Sequence, residues 1–589
     1  MARRIATRGV RRAALYLALA ILNCALFVPA YVCSVPEAQR WPAWSEPGLG
    51  AGLLALLVRR DNQDVFRIAI DFALLLLALI WSADTRARAW VRRCAVAVYG
   101  FLWLFLAYHH AVGHWFQRTP ALLEDVRLGL NLLHFLGSFS RASWFLDWAI
   151  LGGFVVALWL TARCFGALQR PAAGWSVARR GWISVALVAP AALSCSVHGV
   201  ASDRPVFQVT SKRVYDNLRA SAAEAALMAA VHAAAPDTRY DEYLGVRWTR
   251  KPDVYLVMME AYGEILATWD MAPAYRELLA RVEGRLSRAG YHAATAYSTA
   301  PVHGGTSWFS IATVLTGVFV HRPKAHALVE QSGLRIPTLP RFFREQGYLS
   351  HALQPGSTQR TGLKRNDYYG HERAVDAISI DYRGKPYGWG RIPDQYALGV
   401  FRERYFQPSA GPRYAFFMNV STHYPWSGLP PYVRDWKTLA SAGAVPTADL
   451  EGWPALRNTS RIGTALRRNY FESIAYEWRV LSEWFESEAD KDNVIVVLGD
   501  HQPRLEWNLP GAVTLNTPMH ILSKDRALIE RFIQQGFEPG LYATPERRPP
   551  LQHAGLFSLL ISQLTAHLSP TTPGLPLHPK GAPLPALKR

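Results

Sequence analysis

Four stretches of this 589-residue chain carry residue types that could do chemistry together. Glu260 closes an apolar run in YLVMMEAYGE, and Asp500 and His501 close another in VIVVLGDHQP. His423 lies four residues past a third run, in FFMNVSTHYPW. Two carboxylates and an imidazole suit one divalent metal ion of the Mn²⁺, Mg²⁺ or Zn²⁺ type. The fourth stretch, Pro301-Val-His-Gly-Gly-Thr-Ser-Trp-Phe-Ser310, offers hydroxyls. Gly304 and Gly305 permit a sharp turn there, which puts Thr306 or Ser307 at the N-terminus of an apolar helix running into residues 311–320. A hydroxyl in that place faces free backbone N–H groups and the positive end of the helix dipole, which suit phosphate oxygens. A divalent ion beside it would lower its pKa and make it a nucleophile. Singly, these residues have plain structural uses: a Glu as a helix-end charge, a Gly-Asp pair as a turn, a Thr or Ser as an N-cap. Jointly they point to a site.

The elements that must position them are short. The apolar runs 254–259, 414–419 and 493–498 read as buried strands of a largely parallel sheet. Helical segments such as 340–346 and 470–487 separate such runs, which predicts an α/β sandwich. In open sheets of this kind ligands collect beyond the carboxyl ends of the strands. Three strands that each release a carboxylate or an imidazole there would converge on one point.

The ordered set of Glu260 after a strand, Gly-Gly-Thr306-Ser before a helix, Ser-Thr-His423-Tyr-Pro and Gly-Asp500-His501 resembles the sulfatase-type branch of the alkaline phosphatase superfamily. It is most similar to the membrane-anchored lipoteichoic acid synthases and phosphoglycerol transferases, and more distantly to phosphoethanolamine transferases. The resemblance covers nearly the whole chain, with sharp motifs in the polar half alone. It implies a C-terminal α/β sandwich of alkaline phosphatase/sulfatase type. It also implies one divalent metal ion (Mn, Mg or Zn) held by Glu260, Thr306, Asp500 and His501, with Thr306 as nucleophile. His423 would contact the phosphate or leaving group, and His303 is a second candidate for that role. Arg365, in Leu363-Lys-Arg-Asn-Asp367, would contact a headgroup, although the aromatic that flanks it in some relatives is missing. The chain has no Cys-x-Pro-x-Arg sequence, the formylglycine signature of true sulfatases, which disfavours sulfate ester hydrolysis. It has no cysteine in the polar half, whereas phosphoethanolamine transferases usually carry disulfides there, which moves the weight toward the phosphoglycerol side. The implied reaction moves a phospholipid headgroup phosphate onto an envelope glycan or lipid acceptor by way of a phosphothreonine. A phosphodiesterase using water as acceptor would share every motif. A non-catalytic membrane binding protein is the reading from another class.

Composition divides the chain. Half of it is hydrophobic and 19% is charged, but the long apolar runs fall before about residue 200, together with all five cysteines. The polar half therefore has no thiolate for a zinc site, a disulfide or a nucleophile. The formal charge of +19 includes many arginines that flank apolar runs, which is a mark of membrane topology rather than of nucleic-acid binding. Segments 13–33, 65–81, 94–112, 144–164 and 182–200 are expected to span about 30 Å of hydrocarbon as helices. Arginines before the first span, between the second and third, and around the fourth-to-fifth connection put the N-terminus inside and everything past residue 200 outside. The expected domains are a transmembrane domain over residues 1–204, a helical surface linker over 205–248, an extracytoplasmic catalytic domain over 249–568 and a proline-rich tail over 569–589. The expected place is a bacterial inner membrane, multi-pass, with a membrane phospholipid as donor. His109, His110 and His114 read as interfacial histidines beside Trp103 and Trp115.

Overall fold

A computed structural model describes residues 2–34, 69–116, 120–122, 125, 143–198, 210–233, 241–331, 337–357, 368–406, 411–424, 426, 428–441, 456–457, 459–503, 505, 514–545 and 551–582. The chain forms two compact units, Met1–Ala226 and Leu227–Arg589.

The first unit is helical. All five apolar segments fall on helices, Ala2–Ser34, Ile70–Trp81, Arg88–Phe116, Ser143–Ala172 and Val177–His198, although 65–68 and 199–200 lie outside the described residues. Two of them, over Arg88–His110 and Gly152–Ala172, are long and apolar enough to cross a membrane. The expectation of five spans is corrected to two on that measure, among the described residues. Ile70–Trp81 has 12 residues, about 18 Å of helix at 1.5 Å per residue, short of the hydrocarbon thickness. Val177–His198 begins with Arg179 and Arg180 inside it, and Ala2–Ser34 begins with Arg3, Arg4 and Arg8 in its first turns.

Polar contacts sort the ends of this unit. At one end Arg180 reaches both carboxylate oxygens of Asp84 at 3.0 Å, joining two arginine-rich turns. At the other end of the helix Ile70–Trp81, the Asp71 carboxylate accepts the N–H groups of Thr210 (2.5 Å) and Ser211 (3.3 Å). Those open the next helix, Thr210–Ala233.

Among the described residues the second unit is built on nine strands: β1 Asp253–Met259, β2 His292–Thr299, β3 Leu349–Gln354, β4 Arg373–Asp376, β5 Arg413–Met418, β6 Asn493–Gly499, β7 Asn516–Ser523, β8 Glu538–Pro539 and β9 Leu551–Gln552. Their order is β4-β3-β5-β1-β6-β7-β2-β8, with β9 also on β2. The five strands from β4 to β6 are parallel, while β7 runs antiparallel to β6 and β2 antiparallel to β7. The sheet is thus mixed, parallel where the site lies.

Alternation assembles the two faces. Tyr255, Val257 and Met259 join Ile495 and Val497 on one face, against the helices Ala272–Arg288 and Ala465–Ser487. Val254, Leu256 and Met258 join Val494, Val496 and Leu498 on the other, against Ser307–Thr316, Leu339–Glu345 and Leu556–Leu568. Every residue of β1, β5 and β6 is buried. This is why their runs are continuously apolar, each side chain being worth about 1.5–3 kcal/mol once covered. The described part of the proline-rich segment, residues 569–582, packs on this unit. The Tyr243 hydroxyl donates to the Pro576 carbonyl, Ser562 to Leu575 at 3.3 Å, and the Ala582 N–H to Gly317 at 2.8 Å.

Candidate active site

Strand register sets the geometry of the site. Met258 is level with Met418, and Met259 with Gly499, on the adjacent strands β5, β1 and β6. Glu260, Asn419 and Asp500 therefore emerge side by side where the three strands end. The Asp500 N–H donates to the Met259 carbonyl and the Asn419 N–H to the Met258 carbonyl, each at 3.1 Å. Gly499 is required at the end of β6, because a Cβ there would stand 1.9 Å from the carbonyl oxygen of Tyr262.

Glu260, Asp500 and His501 are all buried, and one donor atom from each lies within 4.8 Å of the others. His501 Nε2 is 3.3 Å from Glu260 Oε1 and 3.3 Å from Asp500 Oδ2. The His501 Nδ1–H donates to the Gln502 carbonyl at 2.9 Å, which leaves Nε2 as the ligating nitrogen. Asp500 Oδ1 accepts the N–H groups of Ala261 (2.8 Å) and His501 (2.7 Å). Its Oδ2 is buried with no hydrogen-bond donor. A buried carboxylate oxygen without a donor, facing a second carboxylate and an imidazole, is an arrangement that a divalent cation fits.

Charges within the cluster are tightly linked. Burial would raise the Glu260 carboxyl, but His501, His423 and the Ser307 hydrogen bond outweigh it and hold Glu260 far below the usual carboxylate range. Asp500 takes the opposite direction, pushed up to about 8 by burial and by the Glu260 charge. Burial would lower His501, but Asp500 and Glu260 push it up to about 9. Without a cation the cluster therefore carries protons near neutrality, and those protons hold the acids together.

The two hydroxyls left open by sequence part company. The helix Ser307–Thr316 starts after Thr306, whose φ of 61° is left-handed and whose side chain does not cap the helix. The Phe309 N–H donates to the Thr306 carbonyl at 2.8 Å, and no Thr306 side-chain bond caps the helix start, a place that suits an anion. The Thr306 hydroxyl donates to the Gly305 carbonyl. The Ser307 hydroxyl donates to Glu260 Oε2 at 2.7 Å and lies 3.4 Å from His501 Nε2. Ala261 is also left-handed, at φ 57°. Two such residues beside one cluster, each costing about 1–3 kcal/mol, are strain held in place by the surrounding packing.

His423 sits at the edge, half-buried, and is close enough to lower the Glu260 carboxyl. Its imidazole lies flat on the indole of Trp389, with centroids 4.1 Å apart and planes at 16°. His303 is buried beside the site, its main chain paired with Gln502, and the Gly304 N–H donates to the Gln502 carbonyl at 3.1 Å. Arg365 lies outside the described residues. The structure thus gathers Glu260, Asp500, His501 and Ser307 into one cluster, with Thr306, His423 and His303 around it.

Sequence reasoning passed over Asn419, Thr422 and Trp389. Asn419 Oδ1 accepts the Glu260 N–H at 2.6 Å, and the Thr422 hydroxyl donates to the Glu260 carbonyl at 2.7 Å. The signal for Asn419 was its place directly after β5, level with Glu260. For Trp389 there was none, since it lies 34 residues from His423.

No protein-family model and no curated protein matches this sequence. Among solved structures, the chain is similar to the integral membrane lipooligosaccharide phosphoethanolamine transferase A from Neisseria meningitidis. That match has 13% identity and a TM-score of 0.47, over 93% of this chain and 94% of that one. It is similar to the lipoteichoic acid synthase LtaP from Listeria monocytogenes at 15% identity and a TM-score of 0.36, covering 61% of this chain and 81% of that one. It is also similar to the phosphoglycerol transferase GacH from Streptococcus pyogenes, in complex with sn-glycerol-1-phosphate. There the identity is 12% and the TM-score 0.34, over 59% of this chain and 88% of that one.

Proposed function

We propose that this protein is a membrane-anchored, metal-dependent phosphotransferase. It moves the headgroup phosphate of a membrane phospholipid onto an envelope glycan or lipid acceptor through a covalent phosphohydroxyl residue. The observation that carries this reading is the convergence of Glu260, Asp500, His501 and a hydroxyl at one helix N-terminus. Glu260, Asp500, His501 and that hydroxyl would hold a single divalent ion of the Mn, Mg or Zn type. Bound there, the ion would offset phosphate charge and favour the ionised hydroxyl.

The chain's own residues do the rest. The hydroxyl oxygen attacks the phosphorus of the phosphodiester, the bond to the diacylglycerol oxygen breaks, and that oxygen takes up a proton. We assign that proton to His423, a reading supported by its ring being stacked on Trp389. N–H groups at the start of the helix Ser307–Thr316 bind the phosphate oxygens. In the second step an acceptor hydroxyl attacks that phosphorus and gives its proton to His423, the bond between phosphorus and the residue's oxygen breaks, and the phosphoryl headgroup stays on the acceptor. Thr306 is the nucleophile of this reading. Ser307 is the second reading, favoured by its hydrogen bond to Glu260 and its approach to His501. His303 and Arg365 are proposed to contact the substrate.

Membrane attachment follows from the apolar helices, and the last helix of the helical unit opens at Thr210, at the end opposite the Asp84–Arg180 pair. With the arginine-rich turns inside, that end faces the outside of an inner membrane. We take the helical unit to be multi-pass, its shorter helices included.

The test is mass spectrometry of the purified full-length protein after incubation with labelled phospholipids and Mn²⁺. A headgroup-phosphate adduct on Thr306 supports the reading, and an adduct on Ser307 moves the nucleophile by one residue. If broad acceptor trials yield only free headgroup phosphate, the activity is that of a phosphodiesterase. No adduct and no diacylglycerol release would sink the enzyme reading.

A further inference from the structure

Asn419 joins the site to a second pair of acids that the chemistry above does not use. Its Oδ1 accepts the Glu260 N–H, which fixes the amide so that its own N–H bonds face the Glu477 carboxyl. Glu477, on the helix Ala465–Ser487, in turn faces Asp394, the first residue of the helix Asp394–Tyr405. Both acids are fully buried. Asp394 Oδ2 accepts the N–H groups of Val420 (2.9 Å) and Ser421 (2.5 Å), the turn that leads to His423. The Asp394 N–H donates to the Ser421 hydroxyl at 3.1 Å. Asp394 Oδ1, both Glu477 oxygens and Asn419 Nδ2 are left over, each buried with no other partner.

Two ionised carboxylates in this position would be acceptors facing acceptors, with like charges in a dry interior. Among the described residues neither has an ion pair with Lys, Arg or His, and the further titratable group beside them is the Tyr476 phenol. We propose that Asp394 and Glu477 share one proton, and that the O–H···O bond it forms positions the loop carrying Asn419 and His423. With Glu477 neutral, its O–H donates to Asp394 Oδ1 and its other oxygen accepts from Asn419 Nδ2. Asp394 keeps its charge for the two loop N–H groups. Every left-over atom is then used. A cation in the same place would meet the N–H side of Asn419 instead of an oxygen. Burial and the facing Asp394 raise Glu477 well above the usual carboxyl range, and burial pushes Asp394 up to about 6. Both directions agree with a retained proton. Asp394 and Glu477 are positioning residues: they act on the reaction through the Glu260 main chain and the His423 turn.

The role in catalysis rests on the metal-site reading above, but the shared proton has its own readout. The experiment compares full-length wild type, Glu477→Gln and Asp394→Asn in detergent. Each substitution supplies an amide N–H that does not titrate and keeps one negative charge in the pair. Thermal midpoints and Mn²⁺ affinity are read at about pH 6 and about pH 9, on either side of neutrality, so that the pH dependence of wild type can be set against that of each amide variant. At the lower pH, wild type and Glu477→Gln should melt together. At the upper pH, wild type should melt about 2–4 °C below Glu477→Gln, and bind Mn²⁺ about tenfold less tightly than that variant, the size of an outer-shell effect. The sign follows from linkage: an acid raised in the folded state stabilises at low pH and loses that contribution as pH climbs through its folded value. Equal loss of midpoint in wild type and both variants would overturn the proposal. If Glu477→Gln does not fold, Asp394→Asn gives the same comparison with the donor reversed. If neither folds at about pH 6, an amide cannot replace the shared proton and the proposal is wrong. Wild type that binds no Mn²⁺ at all refutes the metal site, while the midpoints still decide the pair.

Discussion

Thr306 and Ser307 are neighbouring hydroxyls with different surroundings, and the difference sets what each substitution should do. A nucleophile is needed for the first step whatever the acceptor, so its removal should cut diacylglycerol release by about 10³-fold or more. Thr306→Ala is expected to do this, and Thr306→Ser to restore part of the rate, since a hydroxyl returns at the left-handed residue before the helix. Ser307→Ala should instead weaken metal affinity first, because it removes the hydrogen bond to Glu260. A fully active Thr306→Ala with an inactive Ser307→Ala would assign the nucleophile to Ser307. The protons on the cluster give a second prediction. Asp500 and His501, raised to about 8 and about 9, must lose protons before they can ligate. Metal affinity should therefore rise with pH from about neutrality to about pH 9, with protons released on binding. Calorimetry in buffers of different ionisation enthalpy measures that release, and a buffer-independent enthalpy would contradict it. The metal-free protein runs the other way. The contribution from raised His501 is present below its unfolded value and is lost as pH rises through about 9. The contribution from depressed Glu260 is present above its unfolded value and is lost as pH falls toward its folded one.

At the scale of elements, the site depends on three parallel strands ending level with one another. Gly499 is where that arrangement is tightest. A methyl group there would meet the Tyr262 carbonyl oxygen at 1.9 Å, a backbone atom that a change of rotamer cannot move aside. The neighbouring strand β1 would have to shift, and Glu260 with it. Gly499→Ala is expected to cost about 4 kcal/mol or more, among the large effects of single substitutions, and thermal unfolding measures it. A midpoint equal to that of wild type would show that the strand ends are less closely registered than β1 and β6 indicate. The helix Ser307–Thr316 serves the site at its other end. It closes on Gly317, left-handed at φ 68°, whose N–H donates to the Thr313 carbonyl at 2.9 Å. That fixes its length and hence where its uncapped start lies.

The whole molecule joins an apolar helical unit to an α/β unit with its own two-faced core. On the proposed reading a phospholipid donor would be met at a membrane surface, so attachment would shorten the search for substrate. The side of the membrane is testable. Alkaline phosphatase fused after residue 240 should be active, and a reporter that functions only in the cytoplasm should be silent. The reverse pattern would invert the topology and place the site inside. The reason for the expected result is arginine placement, reinforced by the Asp84–Arg180 pair at the end of the helical unit opposite Thr210.

Sequence alone determined what depends on neighbours along the chain. Strands β1, β5 and β6 were legible because a strand covered on both faces is apolar at every position. Glu260 and Asp500-His501 were legible because they break those runs at their ends. The tertiary structure decided what depends on register and rotamer. It made the sheet mixed, since β7 and β2 return antiparallel beyond β6. It turned Ser307 rather than Thr306 toward Glu260, a choice between adjacent hydroxyls that one backbone angle settles. It joined Asn419, Glu477 and Asp394, and laid Trp389 on His423, through contacts between residues far apart in the chain. Helix length, too, was decided in three dimensions. Hydropathy marks apolar stretches, but continuous helix over one of them runs for the 12 residues Ile70–Trp81, short of a full span.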